Sequence, residues 1–154
     1  MTEVKRSPVI LMADDDADDR FLVQEALTEA KIPHDLRFAE DGRSLLDYLK
    51  HQGKFTDRKE APRPELILLD LNMPLKDGRE VLADIRADAC LRRIPVIIFT
   101  TSKADTDIRQ MYDLGANSFV TKPAAFSELV GLMKKLAEYW FETAHIPDTA
   151  IVGT

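Results

Sequence analysis

The chain has 154 residues, 45% hydrophobic and 31% charged, with a formal net charge of -6; this is one domain's worth of soluble composition, and its acidic balance argues against a general nucleic-acid binder, which needs a basic footprint. A bilayer span needs roughly 20 apolar residues in a row, and no run approaches that length. The apolar stretch Val9 to Ala13 is too short for a signal-peptide core, the single cysteine, Cys90, can build neither an internal disulfide nor a zinc site alone, and a cytoplasmic location is the default expectation.

Strand-like and helix-like stretches alternate along the chain. Val9 to Ala13 predicts a first strand that stops at an acidic cluster. Arg20 to Lys31 carries Leu22, Val23, Ala26, Leu27 and Ala30 at helical spacing. Asp35 to Ala39 alternates, with Leu36 and Phe38 on one side, and Arg43 to Lys50 sets Leu45, Leu46 and Leu49 on one helix face. Gln52 to Glu65 reads as a polar loop with Pro62 and Pro64, longer than usual for an α/β unit. Leu66 to Leu69 is continuously apolar and ends at Asp70. Arg79 to Ala87 predicts a helix with Val81, Leu82 and Ile85 inward; Cys90, near its end, is expected to be buried or half-buried and structural. Val96 to Phe99 is again continuously apolar and ends at Thr100. Asp105 to Leu114 predicts a helix capped by the Asp and closed by Gly115. Ser118 to Thr121 is a short strand before Lys122-Pro123, whose bond is open to either isomer, trans being the commoner. Ala125 to about Thr143 is the longest helix, which Pro147 should stop, with the final residues expected to be disordered.

Continuously apolar strands are buried on both faces. Strands alternating with helices imply crossovers and a parallel sheet. The expected fold is a doubly wound α/β domain with five strands, whose ligand site lies outside the carboxyl ends of the strands.

The first strand delivers Asp14, Asp15 and Asp16 to that edge, and the third delivers Asp70. Carboxylates brought together repel unless a cation neutralises them, and an all-oxygen site that keeps several waters suits Mg2+. The plainer reading of the Asp14 to Asp19 run is a solvated loop that caps the first helix through Asp16 or Asp18. Taken with Asp70, the pair Asp14 and Asp15 favours the metal. The fourth strand delivers Thr100, Thr101 and Ser102, which could simply cap the next helix, and the fifth delivers Lys122, which alone would read as a surface charge. Both follow short buried strands of one sheet, so both should point into the acidic crevice. A carboxylate nucleophile, a metal cluster, a hydroxyl and an ammonium together suit phosphoryl transfer to Asp70. The sequence has no Gly-rich phosphate loop, so the donor must bring its own high-energy group.

The ordered motifs ILMADDD, LILLDLNMPLKDG, PVIIFTTS and FVTKP resemble the receiver domain of two-component response regulators over nearly the whole chain, residues 8–143. The resemblance implies a flavodoxin-like (βα)5 sandwich with a five-stranded parallel sheet in the order 2-1-3-4-5. It implies Asp70 as the phosphoacceptor, Asp15 as a direct Mg2+ ligand, Asp14 acting mainly through a bound water, and the backbone carbonyl of Asn72 as a further ligand. Thr100 would be the switch hydroxyl, Lys122 the phosphoryl-binding ammonium and Phe119 the aromatic that rotates on activation; the plainer reading of Phe119 is a core residue. Met73-Pro74 and Gly78 match the turn after the acceptor strand, and Ser102 and Asn72 lie where receivers tune the lifetime of the aspartyl phosphate.

Residues 1–7 and 144–154 would be short extensions, with no output domain. Within the family, DDADDRFLVQEAL, the long loop before the third strand, FTTSKADTDI and YWFETAHIP resemble single-domain regulators that partner bacterial and cyanobacterial phytochrome kinases. The implied protein is not an enzyme acting on a separate substrate. It takes a phosphoryl group from a partner histidine kinase and switches its α4-β5-α5 face. His34, His51 and His145 form no metal set, and the donor histidine is expected on the kinase. Trp140, Phe141 and Ile146 are expected to leave an exposed apolar patch that forms a homodimer. Two alternatives stand beside this. A pseudo-receiver would use the fold without phosphotransfer. A haloacid-dehalogenase-type phosphohydrolase needs a second Asp two residues after the nucleophile, where this chain has Asn72.

Overall fold

Short runs of Leu, Ile and Val bounded by polar residues form the strands, and their alternate side chains pack opposite faces of one sheet. In the computed structural model, which describes residues 7–147, the strands are β1 (Val9–Ala13), β2 (Asp35–Ala39), β3 (Leu66–Leu69), β4 (Val96–Thr100) and β5 (Ser118–Thr121). They are parallel and lie in the order β2-β1-β3-β4-β5. The helices are α1 (Ala17–Glu29), α2 (Gly42–Lys50), α3 (Gly78–Ala87), α4 (Asp105–Asp113) and α5 (Phe126–Ala137). This is the doubly wound sandwich that the sequence implies.

The core has two layers. Leu11, Ile67, Leu69 and Ile98 pack against α2, α3 and Met111 of α4. Ile10, Met12, Leu68 and Phe99 pack against Val23, Ala26 and Leu27 of α1 and Leu129 and Met133 of α5. β3 and β4 are buried along their whole length, which the continuous apolar runs require. β2, at an edge, is only partly covered.

Several boundaries differ from expectation for local reasons. α1 starts at Ala17 rather than Arg20, because the Asp16 side chain caps it by accepting from the backbone N–H groups of Asp18 and Asp19. Asp105 is the first residue of α4 rather than its cap; Ala104 holds the cap position and offers no side-chain hydrogen bond. Residues 52–64 are not a bare loop: they hold a 3-10 turn, Gly53–Phe55, Ala61 is fully buried, and Tyr48 Oη donates to the carbonyl of Pro62 at 2.7 Å. Cys90 is exposed rather than buried. It lies in the turn after α3, where its backbone N–H donates to Asp88 Oδ1. Every described peptide bond is trans, Lys122-Pro123 included.

The expected helix to Thr143 divides. α5 ends at Ala137 and a π-helical segment, Glu138–Thr143, follows. The wider turn alters which side chains face inward. Trp140 and Phe141 are half-buried against the α1–α5 layer, Ile146 is half-buried as well, and Tyr139 is the exposed aromatic at 54%. The expected open patch of Trp140, Phe141 and Ile146 is thus corrected to partly covered side chains beside an exposed Tyr139. Of the terminal extensions, residues 1–6 and 148–154 lie outside the described residues.

Candidate functional site

Register assembles the site. β1 pairs with β3 so that Ala13 lies beside Leu69. The next residues, Asp14 and Asp70, therefore leave the sheet together, and Asp70 N–H still donates to the Ala13 carbonyl at 3.0 Å. Gly78 keeps the α3 end close: a Cβ there would lie 2.5 Å from the Asp70 carbonyl oxygen. β4 ends at Thr100, and the backbone N–H of Lys122 donates to the Thr100 carbonyl at 2.7 Å. Asp14, Asp70, Thr100 and Lys122 thus emerge from four adjacent strands at one edge.

Asp14, Asp70 and Thr100 are the buried polar residues of the described chain. Asp14 is fully buried; its Oδ1 accepts from Asp16 N–H at 2.9 Å. Asp15 is exposed at the mouth. Carboxylate oxygens of Asp14, Asp15 and Asp70 lie within 4.8 Å of one another. Three hard anionic oxygens so placed fit a small divalent cation. Asn72 is exposed in the turn after β3.

Lys122 fills the centre of the charge array. Its Nζ donates to Asp14 Oδ2 at 2.7 Å, Asp19 Oδ2 at 2.7 Å and Asp70 Oδ2 at 3.2 Å. It also lies 5.8 Å from the Phe99 ring centroid. Burial alone would pull the ammonium down, but the hydrogen bonds it donates to Asp14 and Asp19 and the charges of Asp70 and Asp14 outweigh it and hold Lys122 above its ordinary range. Burial pushes the Asp14 carboxyl up, and the Lys122 bond and the Asp16 N–H offset this only in part.

Around this centre the β4–α4 loop is tied down. Ser102 Oγ donates to Asp107 Oδ2 at 2.6 Å and Arg79 Nη2 donates to Asp107 Oδ1 at 2.6 Å. The Ser102 hydroxyl and then Arg79 hold the Asp107 carboxyl below its ordinary range. Thr100 Oγ1 accepts from Ser102 N–H at a long 3.4 Å, so it is weakly held. Phe119 is half-buried against the α2–α3–α4 layer, and its backbone N–H donates to Tyr112 Oη at 3.2 Å.

The structure thus brings together Asp14, Asp15, Asp70 and Lys122, with Thr100 beside them at the end of β4. Trp140, Phe141 and Ile146 belong to a different region, the C-terminal end of the described chain. Two contacts escape a reading of the sequence: the Asp19–Lys122 ion pair and the bond from Arg20 Nη1 to the Asp14 carbonyl at 2.7 Å. The signal for Asp19 was its place three residues after the capping Asp16, which fixes it in the first turn of α1.

The chain belongs to the response regulator receiver domain family, whose model matches residues 10–134. Response regulator Rcp1 of Synechocystis sp. is 41% identical over 90% of this chain and 92% of Rcp1. The Mn(2+)-bound form of Rcp1 superposes with a TM-score of 0.81 at 40% identity, covering 92% of this chain and 99% of that one. The phosphorylated cyanobacterial phytochrome response regulator RcpA superposes at 0.85 and 42% identity, covering 93% of this chain and all of RcpA, 100%. RPA3017, a response regulator in red light signalling of R. palustris, superposes at 0.87 and 38% identity, with coverage of 92% and 99%. The chain is therefore a two-component response regulator of the receiver type, similar to phytochrome-associated regulators. Among the described residues no helix is long and apolar enough to cross a membrane.

Proposed function

We propose that the protein accepts a phosphoryl group on Asp70 from the phosphohistidine of a partner kinase and converts that event into a change of its α4-β5-α5 face. The single observation that carries this is the sharing of Lys122 Nζ among Asp14, Asp19 and Asp70, beside the three-carboxylate cluster. A fold needs no such concentration of buried charge, whereas transfer of an anionic group does.

In the step itself, an Asp70 carboxylate oxygen attacks phosphorus and forms the acyl phosphate. The phosphorus–nitrogen bond breaks, and its electron pair leaves with the histidine nitrogen of the donor. Asp14, Asp15, Asp70 and the Asn72 carbonyl would hold Mg2+, which when bound supplies neutralisation of the phosphoryl oxygens. Lys122 pairs with one of those oxygens and Thr100 donates its hydroxyl to another. Thr100 meets the phosphoryl group only after transfer, so it supplies the differential interaction that a two-state switch requires. Phe119 then moves into the space that Thr100 vacates. The protein catalyses only its own phosphorylation and dephosphorylation.

The likeness to RcpA, Rcp1 and RPA3017 supports a phytochrome-type sensor kinase as the partner and a cytoplasmic site of action. Self-association is proposed at the C-terminal end, through Tyr139 and the uncovered edges of Trp140, Phe141 and Ile146.

Intact-protein mass after incubation with Mg2+ and acetyl phosphate tests the reading. One added phosphoryl group is expected, absent in Asp70→Asn and in EDTA. A folded protein that takes up neither this group nor beryllofluoride contradicts it.

A further inference from the structure

The ammonium of Lys122 has three donors, and three carboxylates take them. Two of these, Asp14 and Asp70, also belong to the cluster that can hold a cation. Asp19 does not. It reaches the ammonium from α1, and its backbone is fixed because its N–H and that of Asp18 both bond to the capping Asp16. Asp19 is also the most open of the three partners: its side chain is 30% exposed, against 0% for Asp14 and 11% for Asp70.

A phosphoryl oxygen on Asp70 has to draw on the same three donors. Asp14 has little freedom to yield, since it is fully buried and held by Asp16 N–H. Asp19 can exchange its share of the ammonium for solvent. Its negative charge, 2.7 Å from the ammonium that a phosphoryl oxygen would meet, also repels an anion brought there.

We propose that Asp19 is a positioning residue for Lys122: it competes with the phosphoryl group for the ammonium and so limits how firmly phosphorylated Asp70 is held. This deepens the phosphoacceptor reading and rests on it. The competition gives the residue a signature. Removing the Asp19 charge frees Lys122 for the phosphoryl group and lifts a repulsion, so an anion at Asp70 is held more tightly. The same removal takes a negative charge from the neighbourhood of the cation cluster, so Mg2+ is held less tightly. A merely structural role moves both affinities downward together.

The experiment is calorimetric titration of the full chain, first with Mg2+ and then with beryllofluoride at saturating Mg2+. Asp19→Asn is expected to bind beryllofluoride about three- to tenfold more tightly and Mg2+ about twofold more weakly. Asp19→Ser should repeat both signs, which guards against a folding defect peculiar to one variant. Asp19→Glu, which restores the charge, should return both affinities toward wild type. Asp18→Asn removes the same charge from the same helical turn at an exposed position and should leave beryllofluoride affinity, the discriminating readout, within about twofold of wild type. Asp19 variants that bind beryllofluoride no more tightly than wild type overturn the inference alone, as does Asp18→Asn matching them. A wild-type protein that binds no beryllofluoride and takes no phosphoryl group overturns the phosphoacceptor reading, and this inference with it.

Discussion

The two ends of the sheet solve different problems with the same backbone. At the carboxyl end, Asp14, Asp19, Asp70 and Lys122 crowd into one crevice, with the Thr100 hydroxyl buried beside them. At the amino end, the segment leading into β3 is closed by uncharged groups or ones bonded to backbone: Tyr48 Oη on the Pro62 carbonyl at 2.7 Å, His51 Nε2 on the Ala61 carbonyl at 2.9 Å, and Arg63 Nη2 on the Cys90 carbonyl at 2.6 Å. Groups at the amino end serve to close the fold. Those at the carboxyl end carry charge that stability alone does not call for, because desolvating ions rarely repays itself against an apolar core. Changes at the first end should therefore be read out in phosphorylation and changes at the second in stability.

The largest effect expected from this contrast is at Asp70. Asp70→Asn abolishes the phosphoryl adduct in intact-mass measurements, yet leaves stability to urea unchanged or raised by about 1 kcal/mol, because a repulsion with Asp14 is relieved. Lys122→Ala breaks the clean division in an informative way. It lowers the rate of acetyl phosphate labelling by about a hundred- to a thousandfold. It also costs about 3 kcal/mol in chemical denaturation, since it leaves buried carboxylates without their shared cation.

At the amino end the expected effects are smaller and purely structural. Burial pushes the Tyr48 hydroxyl up to about 12 from its ordinary 10.0. The folded state therefore favours the neutral phenol. Its contribution is fully present below about pH 10, where the unfolded chain is neutral too, and is lost as pH rises through about 12. Stability should fall by on the order of 2 kcal/mol over that window on account of this group, a fall that Tyr48→Phe lacks in pH-dependent urea melts. At neutral pH, Tyr48→Phe costs about 1 kcal/mol through the lost bond to Pro62 and leaves acetyl phosphate labelling at the wild-type rate. A labelling defect in that variant would undo the separation of the two ends.

The same contrast explains what could be read from residues alone. Asp14, Asp70, Thr100 and Lys122 each follow directly on a short apolar strand, so locating the strands locates them, and parallel pairing then places them together. β3 and β4 were legible because burial on both faces leaves an uninterrupted apolar run. Asp19 was hidden by its ordinariness, since an acid in a first helical turn already has a reason to be there. Its partner lies in another element, across the crevice. Trp140 departs from expectation for a different reason: a 3.6-residue period cannot anticipate a π-helical segment, and the change of pitch puts Tyr139 outward and leaves Trp140 half-buried against the core. Cys90 departs from expectation because α3 stops at Ala87 and Cys90 lies in the exposed turn after it, held by Asp88.

The most direct test of the central claim is a crystal structure of the full chain with Mg2+ and beryllofluoride. Beryllofluoride is expected on an Asp70 carboxylate oxygen, with Lys122 Nζ bonded to one fluoride, Thr100 Oγ1 drawn inward to another, and Phe119 turned into the space beside it. Beryllofluoride bound at Asp70 with Thr100 and Phe119 in their present positions would contradict the claim that this crevice drives a switch.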